Sequence, residues 1–166
     1  MTTDVANAVG IRRATADDIP AIHRLLSELA QTTGLPHKFV SGEADLQRYG
    51  FGDAPMFEAL LAERDGVAIG LALFFYTYSS WRGEPGIYIQ DLVVSEQARG
   101  LGLGRRLIAA AVSHASRHGA THLRLSVEHD NEQAIGFYKS LGLRHSDNEK
   151  IFEASGDAFG QLATAT

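Results

Sequence analysis

Three glycines, Gly100, Gly102 and Gly104, alternate with leucines between an apolar run and a segment of helical periodicity. The run before them, Gln90-Asp91-Leu92-Val93-Val94, reads as the end of a buried strand. After them, Leu107, Ile108, Ala111, Val112 and Ala115 recur on one stripe of a helix that Gly119 ends. A strand that turns through glycines straight into a helix leaves unpaired amides converging on one spot, where the helix dipole favours an anion. Glycine also lets the backbone approach a ligand closely. Arg99 and Arg105 bring positive charge to that end. Residues Arg99, Gly100, Leu101, Gly102, Leu103, Gly104 and Arg105 are therefore a candidate site for a phosphate or pyrophosphate. The spacing G-x-G-x-G is not the dinucleotide G-x-G-x-x-G, and no Walker lysine with Ser/Thr follows.

The rest of the chain surrounds this loop with alternating elements. Strands are expected at 9–13, 57–63, 67–78, 87–94, 121–127 and 144–153. Asp65-Gly66 supplies a tight hairpin turn between the second and third. Helices are expected from Thr15 and Asp18, which can box a helix start, to Gln31, then at 43–49, after the glycines, and from Asn131 to Leu141. The order β-α-α-β-β-β-α-β-α-β places helices around one mixed sheet, an α+β or α/β-like arrangement. With 166 residues and no long linker, a single domain over 9–154 is expected, with flexible segments at 1–8 and 155–166.

Composition narrows the function. Fifteen basic against twenty acidic residues give a formal charge of −5, which excludes a bulk nucleic-acid surface. The absence of cysteine removes disulfides, thiolate nucleophiles and zinc-thiolate sites. The longest apolar stretch, 67–76, is far short of the roughly 20 residues that cross a bilayer. With no targeting signal at the start, a cytoplasmic protein without membrane contact is expected.

A second motif lies at Asn131-Glu132-Gln133-Ala134 through Tyr138 to Gly142. Tyr138 is seven residues after Asn131, two helical turns along the same face. A phenol there can protonate a leaving thiolate, whose pKa of about 8.5 lies below tyrosine's of about 10. Phe137 reads as a core aromatic beside it.

Arg99-x-x-Gly102-x-Gly104 resembles the coenzyme A pyrophosphate loop of the GNAT acyltransferases. Asn131, Ala134, Tyr138 and Gly142 are similar to that superfamily's N-x-x-A-x-x-x-Y-x-x-x-G signature. Blocks at Tyr49-Gly50-Phe51-Gly52, Leu61-Ala62-Glu63, Phe74 through Trp81 and Phe137-Tyr138-Lys139 resemble the diamine (spermidine/spermine) N-acetyltransferase family. The resemblance implies a single GNAT-type domain with a mostly antiparallel sheet. It implies transfer of acetyl from acetyl-CoA to a small primary amine, diamine-like, polyamine-like or lysine-like, by a homodimer without metal. It also implies that backbone groups of Leu92, Val93 and Val94 line the pantetheine arm, with an N–H near Leu92 stabilising the oxyanion. Asn131 and Ala134 join the coenzyme site, and Tyr138 is the general acid.

The resemblance places Thr32, Thr33, Trp81 and Gln90 at the acceptor. The family carries acids where this chain has Thr32, Thr33 and Gln90, and those changes weaken the case for a polyamine. Asp91, Glu128 and His129 remain as candidate bases, Asp91 and Glu128 being assigned to catalysis. A structural role for Asp91, and sheet packing for Trp81, are the alternatives. His114, His118 and His122 cannot share a helix face because Gly119 intervenes, so no metal site is expected. A non-catalytic acyl-CoA sensor and a protein or peptide N-acetyltransferase are the rival functions.

Overall fold

The protein's structure, a computed structural model, describes residues 9–165, so the segment 1–8 expected to be frayed lies outside the described residues. Those residues divide into two compact units, one running to Ser126 and one from Val127.

The first unit holds β1 (Gly10–Arg13), α1 (Ile19–Thr32), α2 (Glu43–Gly50), β2 (Glu58–Arg64), β3 (Val67–Ser79), β4 (Glu84–Val94), α3 (Leu103–Ser116) and β5 (His122–Leu125). The strands form one sheet in the order β1-β2-β3-β4-β5. The first four are antiparallel, and β5 joins β4 in parallel, as a mixed sheet requires. Asp65 and Gly66 both take left-handed backbone conformations, φ 52° and 76°, which matches the turn to the twist of the β2–β3 hairpin.

Side-chain alternation divides the sheet's two faces between helices. Leu61, Leu71 and Val93 stand opposite one another in register and pack with Ile22, Leu25 and Leu26 of α1. The other face takes α3, whose Leu107 is fully buried. Gly70 makes that approach possible: a Cβ there would lie 3.0 Å from Leu107 Cδ1 and 3.2 Å from the Val93 carbonyl oxygen. The start of α1 is fixed electrostatically, with Arg12 bonded to Asp18 at 2.7 and 2.8 Å. Those bonds hold the Asp18 carboxyl down at about 2.

The second unit contains α4 (Glu132–Ser140), capped as expected by Asn131, whose side-chain oxygen accepts the Ala134 N–H at 3.1 Å. Two expectations are corrected here. No strand forms over 144–153 among the described residues. That segment is polar from Arg144 to Lys150 and turns at Asp147-Asn148, so it offers no alternating apolar face. Conversely, α5 (Gly156–Thr164) occupies residues expected to be an unstructured tail. Phe159 and Leu162, three apart, give it one apolar stripe, and Ala158, Gln161 and Ala163 are good helix formers that offset Gly160.

Replacing Gly70 by valine should destabilise the fold by about 1–3 kcal/mol, because neither the Val93 backbone nor Leu107 has room to yield. Urea denaturation checks this, and an unchanged midpoint would show that α3 does not rest on this glycine.

Candidate functional site

The sheet breaks at β4. Leu73 pairs with Asp91 but Phe74 pairs with Ile89, so Gln90 is an extra residue, a β-bulge. Pairing with β5 also ends there, since Ile89 opposite Leu125 is the last matched pair. From Gln90 to Val94, β4 is bonded to β3 alone, and no described strand pairs with its other edge. Its backbone groups on that side form an open row next to the glycine loop. Gln90 is exposed, Leu92 and Val94 are half-buried, and Val93 is core.

The chain then leaves the sheet under polar restraint. The Ser95 N–H donates to the Ile69 carbonyl at 2.9 Å and its hydroxyl donates to Glu28 Oε2 at 2.9 Å. Glu28 also pairs with Arg24, which donates to the Ala68 carbonyl at 2.6 Å. This ties α1 to the ends of β3 and β4. Arg99 follows a short 3-10 turn and reaches back weakly, 3.4 Å to the Val94 carbonyl and 3.4 Å to Thr32 Oγ1.

Gly100 and Gly102 have φ 79° and 68°, and a Cβ at either would meet nothing within 4 Å. Glycine is required there by backbone conformation, and the space beside it stays open. Gly102 is the N-cap of α3, and no side chain caps the helix. The amides of Leu103 and Gly104 thus begin the helix with no side-chain acceptor at the cap among the described residues, the condition for anion binding.

Asp91 is half-buried, and burial pushes its carboxyl above the ordinary carboxylate value. Thr32 and Thr33 end α1 with their hydroxyls turned back onto it, donating to the Glu28 and Leu29 carbonyls at 2.8 and 3.0 Å. Trp81 lies in the β3–β4 turn and is fully exposed, so the alternative of sheet packing fails for it. A turn residue beyond the paired strands has no sheet neighbour to pack on. Glu28 and Ser95 were not candidates from sequence. Their 67-residue separation gives no local signal, and only the strand end brings them together.

In the second unit, Tyr138 is half-buried, with its phenol raised above 10 by burial. Ala134 begins the same helix, while Glu128 and His129 are exposed in the loop before it. Among the described residues, no group of three or more histidines and carboxylates is arranged to hold a metal.

The comparisons place this fold, with its broken β4 and glycine loop, among known acetyltransferases. The Acetyltransferase (GNAT) family matches residues 20–143. Thialysine N-epsilon-acetyltransferase of Mus musculus is 33% identical over 164 residues, covering 92% of this chain and 96% of that one. Spermidine/spermine N(1)-acetyltransferase-like protein 1 of Homo sapiens is 32% identical over 147 residues, 84% of this chain and 21% of that protein. An integron cassette protein from the mobile metagenome of V. cholerae shares the fold with a TM-score of 0.81 at 24% identity, over 95% of this chain and 98% of that one. The chain belongs to the acetyltransferase (GNAT) family, and it is an acetyltransferase.

A raised Asp91 pKa means the folded state holds a proton that the unfolded chain has released. Stability therefore falls as pH rises from the ordinary carboxylate pKa, about 3.9, through the folded value. Asp91→Asn should be more stable than the parent at neutral pH, with the difference shrinking toward pH 3.5. Urea titrations at several pH values measure it, and a constant difference would show that Asp91 is not desolvated.

Proposed function

We propose that the protein transfers the acetyl group of acetyl-CoA to a small primary amine, with Asp91 as general base and Tyr138 as general acid. The observation that carries this is the open edge of β4 running into the uncapped, glycine-framed start of α3. An extended amide-bearing arm fits the first, and a pyrophosphate fits the second. Arg99, Gly100, Leu101, Gly102, Leu103, Gly104 and Arg105 would hold the pyrophosphate. Leu92, Val93 and Val94 would pair through backbone with the pantetheine arm. Asn131 and Ala134 belong to the same coenzyme site through the family signature.

An amine reaches the enzyme mostly as ammonium, with a reference pKa of about 10.4, and must lose a proton before it attacks. Of the three candidate bases, Asp91 is the one whose setting lifts its basicity, while Glu128 and His129 stand in solvent. The amine nitrogen bonds to the acetyl carbon and the carbon–sulfur bond breaks. A backbone N–H near Leu92 would stabilise the carbonyl oxygen as charge collects on it. The thiolate takes the Tyr138 proton, which a phenol above 10 retains at neutral pH. Thr32, Thr33, Trp81 and Gln90 are assigned to the acceptor. They present no carboxylate, which supports a thialysine- or lysine-like amine over a polyamine. The homodimer and a cytoplasmic setting belong to the same proposal through the family likeness.

Tyr138→Phe should lower kcat about 100-fold or more while leaving acetyl-CoA affinity intact. Steady-state kinetics with a thialysine acceptor, beside calorimetric binding of acetyl-CoA, reads both. Unchanged kcat would remove Tyr138 from the mechanism, and acetyl-CoA binding without amine-dependent turnover would make the protein a sensor.

A further inference from the structure

Polar residues of α1 recur at a regular spacing. Arg24, Glu28 and Thr32 are four apart and fall along one side of the helix, while Ile22, Leu25 and Leu26 are buried in the core. Each of the three reaches a successive part of the chain that leads to the glycine loop. Arg24 donates to the Ala68 carbonyl near the start of β3, at 2.6 Å. Glu28 accepts the Ser95 hydroxyl just past the end of β4, at 2.9 Å. Thr32 Oγ1 donates to the Glu28 carbonyl at 2.8 Å and accepts from Arg99 at 3.4 Å. Thr32, assigned to the acceptor, is thus also in contact with the coenzyme loop.

The middle contact ends on Ser95, the one buried polar residue among those described. From Ser95 the restraint passes through a short turn. The Ala98 N–H donates to the Ser95 carbonyl at 2.8 Å, Ala98 is fully buried, and the Arg99 N–H donates to the Glu96 carbonyl at 3.2 Å. The backbone of Arg99 is therefore fixed relative to Ser95, and Ser95 relative to α1. The Arg99 side chain, by contrast, has two long bonds, 3.4 Å each, to Val94 and Thr32. A guanidinium exchanges such bonds readily for the shorter, charge-assisted ones of a phosphate. Glu28 brings a carboxylate onto the approach to an anion site, and its pairing with Arg24 offsets that charge.

We propose that Glu28 is a positioning residue for the coenzyme: bonded to Ser95, it holds the turn that presents Arg99, and so governs affinity for a donor carrying a pyrophosphate without touching that donor. The inference rests on the acetyl-transfer reading above. A turn already fixed in the free protein loses little entropy when the ligand arrives. Removing the carboxylate leaves the buried Ser95 hydroxyl unpaired, and the turn must loosen to hydrate it. The loss falls on the phosphate end of the coenzyme, not on the thioester, which lies with the β4 edge in that reading.

Calorimetry with coenzyme A is the first test. Glu28→Ala and Ser95→Ala should each weaken binding about tenfold. Glu28→Gln, which can still accept the Ser95 hydroxyl, should recover most of that loss. Adding Glu28→Ala to Arg99→Ala should weaken binding no further than Arg99→Ala alone, because one residue acts through the other. Thiol release with thialysine as acceptor is the second readout. In Glu28→Ala and Ser95→Ala, KM for acetyl-CoA should rise about tenfold with kcat changing less than about twofold. The acetyl thioester of N-acetylcysteamine, a donor without pyrophosphate, should keep kcat/KM within about twofold of the parent. Unchanged coenzyme A affinity, additive losses in the double variant, or equal losses with both donors would each overturn the positioning role, the last by showing a merely structural one. Should Glu28→Ala fail to fold, Ser95→Ala carries the same comparisons, alone and with Arg99→Ala. Coenzyme A binding without thiol release in the parent would overturn the acetyl-transfer reading alone, and the affinities would still decide the role of Glu28.

Discussion

One extra residue in one strand sets the geometry on which the proposed chemistry depends. The bulge at Gln90 coincides with the end of β4–β5 pairing, so the second half of β4 keeps one side unmatched within an otherwise continuous sheet. An unpaired strand edge is ordinarily a liability, prone to pairing with another chain. Here it lies deep in the sheet order, beside a short fifth strand, and leads straight to a helix start suited to an anion. The same irregularity turns Asp91 onto the face of Tyr88 and Phe75. The proposed coenzyme edge and the proposed base, Asp91, are thereby linked to one backbone feature.

Such a feature needs support from packing, because a bulge by itself loosens a ladder. Around it, Leu61, Leu71 and Val93 lock the sheet to α1, and Gly70 lets Leu107 seat α3 on the opposite face. Glu28, bonded to Ser95 and Arg24, holds the strand's exit against α1. A buried hydroxyl such as that of Ser95 contributes modest net stability when bonded but is costly to leave unpaired. The value of these bonds is positional: they fix where the chain departs for the glycine loop.

Much of this was legible in the residues. The glycine loop, the Asp65-Gly66 turn and the Asn131 cap depend on local conformational demands that particular residue types meet, and each lies where those residues predict. The mixed sheet followed from periodicity and element order. The strand expected at 144–153 and the tail expected after it were misread. A polar segment with two apolar residues at its end mimicked a strand, while Phe159 and Leu162 lay among small residues that mask helical patterning. The bulge left no signal, since Tyr88-Ile89-Gln90-Asp91 reads as an ordinary alternating strand. The Glu28–Ser95 contact was equally invisible, because long-range polar pairing has no periodicity.

The central claim is that the open edge of β4 and the start of α3 receive acetyl-CoA together. Hydrogen–deuterium exchange, measured residue by residue with and without saturating acetyl-CoA, tests it without requiring an identified acceptor. Slowed exchange at amides within 90–94 and 102–105, with the β2–β3 ladder unaffected, is the predicted result. Unchanged exchange at both segments, in protein shown to bind acetyl-CoA, would contradict it.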